Sequence, residues 1–175
     1  MGRDKSTMQV DGTALAVRTT DVLRAAGCAP VVAVGGDESA LRALGLEVVA
    51  DIWPGEGPLG GVLTALRHLG ERGADAVVIV ACDLVEIDVP SVGGLIAAWH
   101  SGGAVDAVVA TSGRLQPLCA VWAARCTPNV ERRFVAGTRA VRDALADLVV
   151  LPVEVAPRAM RNVNTPSDLA GGGER

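Results

Sequence analysis

The sequence predicts a doubly wound α/β domain, with a mostly parallel sheet and helices on both faces. Three observations lead there. Short apolar runs alternate with stretches of helical spacing along nearly the whole chain. The run at residues 76–81 is apolar at every position, which implies cover on both faces, as in a parallel sheet between helix layers. Glycines punctuate the segments, and right-handed crossovers follow from the alternation.

The elements follow in order. Residues 14–26 have helical character and stop at Gly27. Residues 31–34 form a buried strand closed by Gly35-Gly36. Residues 38–44 make a short helix ended by Gly45, and 46–50 the next strand. A loop rich in Gly and Pro spans 51–58. Leu59, Leu63, Leu66 and Leu69 then mark one helix face over 59–72. Residues 76–81 are the strongest strand and 90–100 another helix. Strands at 106–110 and 118–122 flank a polar turn around Gly113, and 130–135 and 139–145 look helical. The late strand, 149–155, contains Pro152, which points to an edge or a bulge.

At 175 residues the chain fits one domain, spanning residues 1–170, with a Gly-rich tail at 171–175 expected to fray. Half of the residues are hydrophobic (50%), which excludes disorder for the bulk of the chain. Net charge is -4, and no stretch of Lys and Arg is dense enough to track a nucleic-acid backbone. The nearest candidate, Arg132-Arg133 with Arg139 and Arg142, reads as a solvated helix face. A local loop and a metal ion can still hold one anionic nucleotide on an acidic protein. The longest apolar run is far short of the roughly 20 residues of a membrane span, and no export signal follows Met1, so a cytoplasmic location is expected. Cys28, Cys82, Cys119 and Cys126 lack CxxC spacing and read as buried free thiols. His68 and His100 fall late in helices, with no third ligand nearby.

In open parallel sheets, ligands bind beyond the carboxyl ends of the strands. Asp51 follows one expected strand, and Cys82-Asp83 follows the strongest. A carboxylate there can hold a hard cation such as Mg²⁺ together with substrate phosphates. Equally, Asp83 can cap the next segment. The loop Gly55-Glu56-Gly57-Pro58-Leu59-Gly60-Gly61 opens a helix. Its backbone N–H groups can approach an anion, or the loop can simply redirect the chain. Lys5 lies at the front, solvated or on a ligand. Near the end, Asn162 and Asn164 flank Val163 before Thr165-Pro166, where they can cap a helix or bond a ligand.

These pieces occur together, and in order, in the molybdenum cofactor guanylyltransferases. Met1-Gly2-Arg3-Asp4-Lys5 resembles the end of that family's LAGGxSxRMGxDK motif, and Asp51 with Gly57-Pro58-Leu59-Gly60-Gly61 its D…GPLAG segment. Cys82-Asp83 is similar to its metal-binding CD, Leu115-Gln116-Pro117-Leu118 to its substrate-side strand entry, and the stretch from Asn162 to Pro166 to its NxNTP motif. The resemblance implies a Rossmann-like nucleotidyltransferase that moves GMP from GTP to the phosphate of molybdopterin and releases pyrophosphate. It implies Lys5 on phosphate, Asp83 on Mg²⁺, and Asp51 with Gly57, Pro58, Leu59, Gly60 and Gly61 around the guanine nucleotide. Asn162 and Asn164 would face the pterin or the phosphates. Partners would be GTP, the molybdenum cofactor and, transiently, other cofactor-biosynthesis proteins.

The chain departs from the pattern in three places. The family's first strand and Leu-Ala-Gly-Gly turn are missing ahead of Met1, so a start upstream is expected. Without that central strand, a groove or an unpaired strand edge should remain. Leu84-Val85 follows Asp83, where the family usually has x-Pro. Gly35-Gly36 stands where the family often carries an Asn. Two other functions fit the same residues: a CTP-using molybdopterin cytidylyltransferase, and a non-catalytic nucleotide- or pterin-binding relative.

Overall fold

The computed structural model describes residues 5–162. A 3-10 turn at Lys5–Thr7 leads into a small hairpin, Gln9–Val10 (β1) and Thr13–Ala14 (β2). Asp11 and Gly12 turn it with φ of 50° and 78°, the left-handed pair that matches the twist of a two-residue hairpin. Helix Leu15–Ala25 (α1) follows directly.

Next comes a parallel unit: Ala33–Val34 (β3), Glu38–Ala43 (α2) and Val48–Val49 (β4). Asp37 caps α2 through its carboxylate, which accepts from the Ala40 N–H at 3.0 Å. Pro58–Gly70 (α3) leads to Ala76–Val80 (β5), and Val89–Ser101 (α4) to Ala107–Thr111 (β6). The remaining elements are Leu115–Ala123 (β7), Thr127–Val135 (α5), Val141–Ala144 (α6) and Val150–Glu154 (β8).

The central sheet has the order β5-β7-β6-β8. Strands β5, β6 and β8 run one way, and β7 runs against them. The direction of β7 was not legible as a parallel pattern, and its cause is local. Only residues 112–114 separate it from β6, with Gly113 at φ 73°, and so short a connection can join only antiparallel neighbours. Pro152 lies on β8, which pairs only with β6 among the described residues, so the missing N–H costs no ladder bond further out.

Alternate side chains of the sheet divide two cores between its faces. Val77, Ala107, Val109, Ala120 and Trp122 pack with Leu59, Leu63 and Leu66 of α3 and with Val130 and Phe134 of α5. Val108, Ala110, Cys119 and Val121 pack with Leu23 of α1 and with Val92 and Leu95 of α4. Burial pushes the Cys119 and Cys126 thiols up to about 12, so both are inert apolar fillers, as expected of free cysteines. No helix among the described residues is long and apolar enough to cross a membrane.

Strands β3 and β4 form a separate two-stranded sheet, and β5 is an edge of the central one. A cavity of about 860 Å³ lies between them, lined by residues 27–36 and 74–82. Among the described residues, the groove and the unpaired strand edge expected from the sequence are therefore both present.

Candidate active site

Three strand ends meet at one rim of this cavity. Gly35-Gly36 follow β3, Asp51 follows β4, and Cys82 follows β5; all four residues line the cavity. Gly57, Pro58 and Gly61 line it from the start of α3, and Ser6 from the N-terminal turn. Glycines at 35 and 36 adopt φ of 68° and 79°, a conformation that side chains with a Cβ resist.

The loop ahead of α3 is tied down on both sides. Asp51 Oδ1 accepts from the Trp53 N–H at 3.0 Å and from the Thr64 hydroxyl at 3.0 Å. Thr64 Oγ1 also accepts from the Ile52 N–H and lies 3.0 Å from the Gly60 carbonyl, which competes with Asp51 for its single proton. Gly60 is needed for contact: a Cβ there would lie 3.1 Å from Trp53 Cβ and 3.2 Å from the Trp53 carbonyl oxygen. Trp53 packs against Phe134 with ring centroids 5.2 Å apart, and the Arg67 guanidinium lies 5.1 Å from the Trp53 ring centroid. From the far side, Arg139 Nε donates to Glu56 at 2.7 Å while its Nη1 donates to the Phe134 and Thr138 carbonyls. Its guanidinium also sits 4.2 Å over Phe134.

Two of the four arginines read as a solvated face are thus engaged instead. Arg139 pins the glycine loop, and Arg133 pairs with Asp147. The loop therefore presents Gly57, Pro58 and Gly61 at a fixed place, with Gly57 at φ 86° as the helix cap and Pro58 at the first turn. Leu59 is fully buried in the core, so only its backbone can reach a ligand.

Asp83 differs from Asp51. It is half-buried, and among the described residues no hydrogen bond or ion pair engages its side chain. The capping alternative does not hold, because α4 is capped by Asp88, whose carboxylate accepts from the Ser91 N–H at 2.9 Å. The Ser91 contact, helped by Arg158, holds the Asp88 carboxyl below the ordinary range, as befits a committed cap. Asp83 follows Cys82, which lines both the large cavity and a second one of about 280 Å³.

Asn162 comes beside the segment that follows Asp83. It forms an antiparallel bridge with Leu84, and the Val85 N–H donates to the Arg161 carbonyl at 3.3 Å. Arg161 also pairs with Glu86 at 2.8 Å. Lys5 is the neighbour in sequence of Ser6, which lines the cavity. Asn164 lies outside the described residues. The structure therefore brings Gly35, Gly36, Asp51, Gly57, Pro58, Gly61 and Cys82 to one cavity, with Lys5 and Asp83 each next in sequence to a lining residue and Asn162 bridged to Leu84. Sequence reasoning missed Thr64, Trp53 and Arg139, since each acts through partners distant along the chain.

A model of the MobA-like NTP transferase domain matches residues 1–161. The chain belongs to the MobA-like NTP transferase family. A family relative, the probable molybdenum cofactor guanylyltransferase of Opitutus terrae, is 34% identical over 96% of this chain and 79% of its own length. The molybdenum cofactor guanylyltransferase of Rhizobium meliloti is 30% identical over 97% of this chain and 83% of its own. Among solved structures, molybdopterin-guanine dinucleotide biosynthesis protein A from Archaeoglobus fulgidus superposes with a TM-score of 0.73 at 25% identity, covering 95% of this chain and 87% of that one. A cytidylyltransferase from Thermus thermophilus, 2-C-methyl-D-erythritol 4-phosphate cytidylyltransferase, shares the fold with a TM-score of 0.71 at 16% identity, covering 95% and 90%. Family membership accounts for the mixed α/β sheet.

Proposed function

We propose that this chain transfers GMP from GTP to the phosphate of molybdopterin, releasing pyrophosphate, in molybdenum cofactor biosynthesis. The observation that carries the reading is Asp83: a half-buried carboxylate shortly after β5, without a protein partner among the described residues, next in sequence to Cys82, which lines the cleft. The guanylyltransferase names of relatives at 30% and 34% identity supply the substrates.

A divalent metal suits the donor set, and Mg²⁺ suits it best. No group of three His, Cys, Asp or Glu side chains that could hold a metal occurs among the described residues, so no closed protein cage exists. Mg²⁺ needs none, since one or two carboxylates complete its shell with water and substrate phosphates. Asp83 would hold it, and bound there it would withdraw charge from the phosphates.

The protein's own groups do the rest. Backbone N–H groups at the start of α3, together with the positive end of the helix, receive a phosphate. Lys5, next to the lining residue Ser6, would add a second positive charge. Asp51 has one oxygen fixed by Trp53 and Thr64, which leaves the other for the nucleotide. Asn162, and with it Asn164, orients the pterin side. A molybdopterin phosphate oxygen then attacks the α-phosphorus of GTP in line. The bond to the β-phosphate breaks and its electrons leave on pyrophosphate. The reaction belongs to the cytoplasm, where GTP is available.

Thermal unfolding with each nucleotide tests the choice of substrate. At a hundredfold excess over Kd, Mg²⁺–GTP should stabilise by about 2.7 kcal/mol. For a chain of this length, that raises Tm by roughly 5–10 °C. Mg²⁺–CTP at the same concentration should shift Tm by far less. An equal or larger shift with CTP contradicts the guanylyl assignment.

A further inference from the structure

Asp83 stands near the start of the loop that runs from β5 to α4, and residues 158–162 follow β8. Four contacts join these two short segments. Arg161 pairs with Glu86 at 2.8 Å, and Arg158 with Asp88 at 3.2 Å. The Val85 N–H donates to the Arg161 carbonyl at 3.3 Å, and Leu84 bridges Asn162. Residues 84, 85, 86 and 88 of the loop are thus all tied to one stretch of chain.

That stretch is a firm anchor. It makes one 3-10 turn, Pro157–Met160, whose Ala159 is fully buried in the core that holds Leu23 of α1 and Leu95 of α4. The Arg161 N–H donates to the Arg158 carbonyl at 3.0 Å. Side chains three apart in such a turn eclipse one another, so both guanidinium groups serve the same neighbour.

The loop lacks other directional support. Leu84, Val85 and Ile87 are buried, and their packing fixes how deep the loop sits. Apolar burial is non-directional, so it does not fix the loop's heading. Cys82, Leu84, Val85 and Ile87 also line the cavity of about 280 Å³ shared with α1, which leaves the loop room to shift. Both ion pairs are partly exposed and contribute little to global stability, so their effect is local.

We propose that Arg158 and Arg161 are positioning residues of the metal site: they clip Glu86, Asp88 and the Val85 backbone to the turn after β8, and so hold the Asp83 carboxylate where it meets the cation. They act through the loop and not on the phosphates. The inference rests on Asp83 as the carboxylate that holds the cation. Groups that orient a metal ligand from behind are commonly worth about 10–100-fold in metal affinity.

Three variants of the full chain test it: Arg158→Ala with Arg161→Ala, Glu86→Gln alone, and the reversed pair Glu86→Arg with Arg161→Glu. Asp88 is left intact because it caps α4. Hydrogen exchange of the Val85 amide is read without nucleotide, and GTP affinity is read with MgCl₂ and with EDTA. The double-alanine variant should exchange the Val85 amide roughly tenfold faster, as a locally loosened segment does. It should lose roughly tenfold in GTP affinity with Mg²⁺ and keep its affinity in EDTA. Its Tm should stay within roughly 4 °C of the parent's. Glu86→Gln should show the same pattern at smaller amplitude, and the reversed pair should restore parental values. A loss confined to the Mg²⁺ titration is what a merely structural role would not produce. The proposal is overturned if the double-alanine variant keeps the parent's Mg²⁺ enhancement, loses affinity equally with and without Mg²⁺, or exchanges Val85 as the parent does. Failure of the reversed pair to restore Mg²⁺ enhancement overturns it as well. Should the double-alanine variant not fold, Glu86→Gln decides by the same criteria. If the parent itself shows no Mg²⁺ enhancement, the reading of Asp83 fails, and the proposal with it; the parent's titration separates the two failures.

Discussion

Asp83→Asn should abolish Mg²⁺-dependent binding of GTP while leaving stability within about 0.5 kcal/mol of the parent. The asymmetry follows from the structure. The side chain has no protein partner among the described residues, so the amide breaks no ion pair, cap or buried network. The substitution is close to isosteric and creates no cavity. What it removes is the negative charge, and a hard cation held largely by one carboxylate and substrate phosphates loses its protein anchor. Calorimetric titration of Mg²⁺–GTP and a urea unfolding curve measure the two effects separately. A variant that binds Mg²⁺–GTP as the parent does contradicts the metal assignment. A large loss of stability would instead mean that Asp83 is a structural residue.

The second large effect is expected at Gly60. A valine there must force its Cβ against Trp53 Cβ and the Trp53 carbonyl oxygen, at 3.1 and 3.2 Å. Trp53 has little room to retreat, because Asp51 holds its N–H and Phe134 and Arg67 hold its ring. Overpacking of this kind costs about 1–3 kcal/mol, and here the strain falls on the loop that presents Gly57 and Pro58. Gly60→Val should therefore lower stability by that amount and weaken GTP binding together. Gly61→Ala is the internal comparison. A Cβ at Gly61 meets nothing within 4 Å, so its stability should be unchanged or higher by about 0.4–1 kcal/mol. If Gly60→Val unfolds at the parent's denaturant concentration, the contact with Trp53 does not position the loop.

The sequence made the alternation of elements legible because it is written in local periodicity. The all-apolar run at 76–81 became β5 under cover on both faces, and Pro152 marked the edge strand β8. The reversed direction of β7 was hidden, since a strand's apolar pattern does not record the sense in which it runs. Only the shortness of the turn at Gly113 carried that information. The hairpin at residues 9–14 was also passed over, although Asp11-Gly12 is a turn signal.

At the site, the ends of strands and helices pointed to Asp51 and the glycine turn, whose residues 51, 57, 58 and 61 line the cavity, whereas Lys5, Asp83 and Asn162 were read from motif order. The groups that hold the turn in place were not legible. Glu56 and Arg139 are 83 positions apart, and Thr64 reaches Asp51 only because α3 carries it back beside the residue that follows β4. Neither contact has a local signature. The choice between cap and ligand for Asp83 likewise needed the structure, which gives the cap to Asp88.

The central claim is that a divalent cation on Asp83 presents the triphosphate. Its most direct test is one pair of calorimetric titrations of GTP into the parent protein, with millimolar MgCl₂ and with EDTA. Binding should be at least tenfold tighter with Mg²⁺, about 1.4 kcal/mol or more. Equal affinity under the two conditions would contradict it.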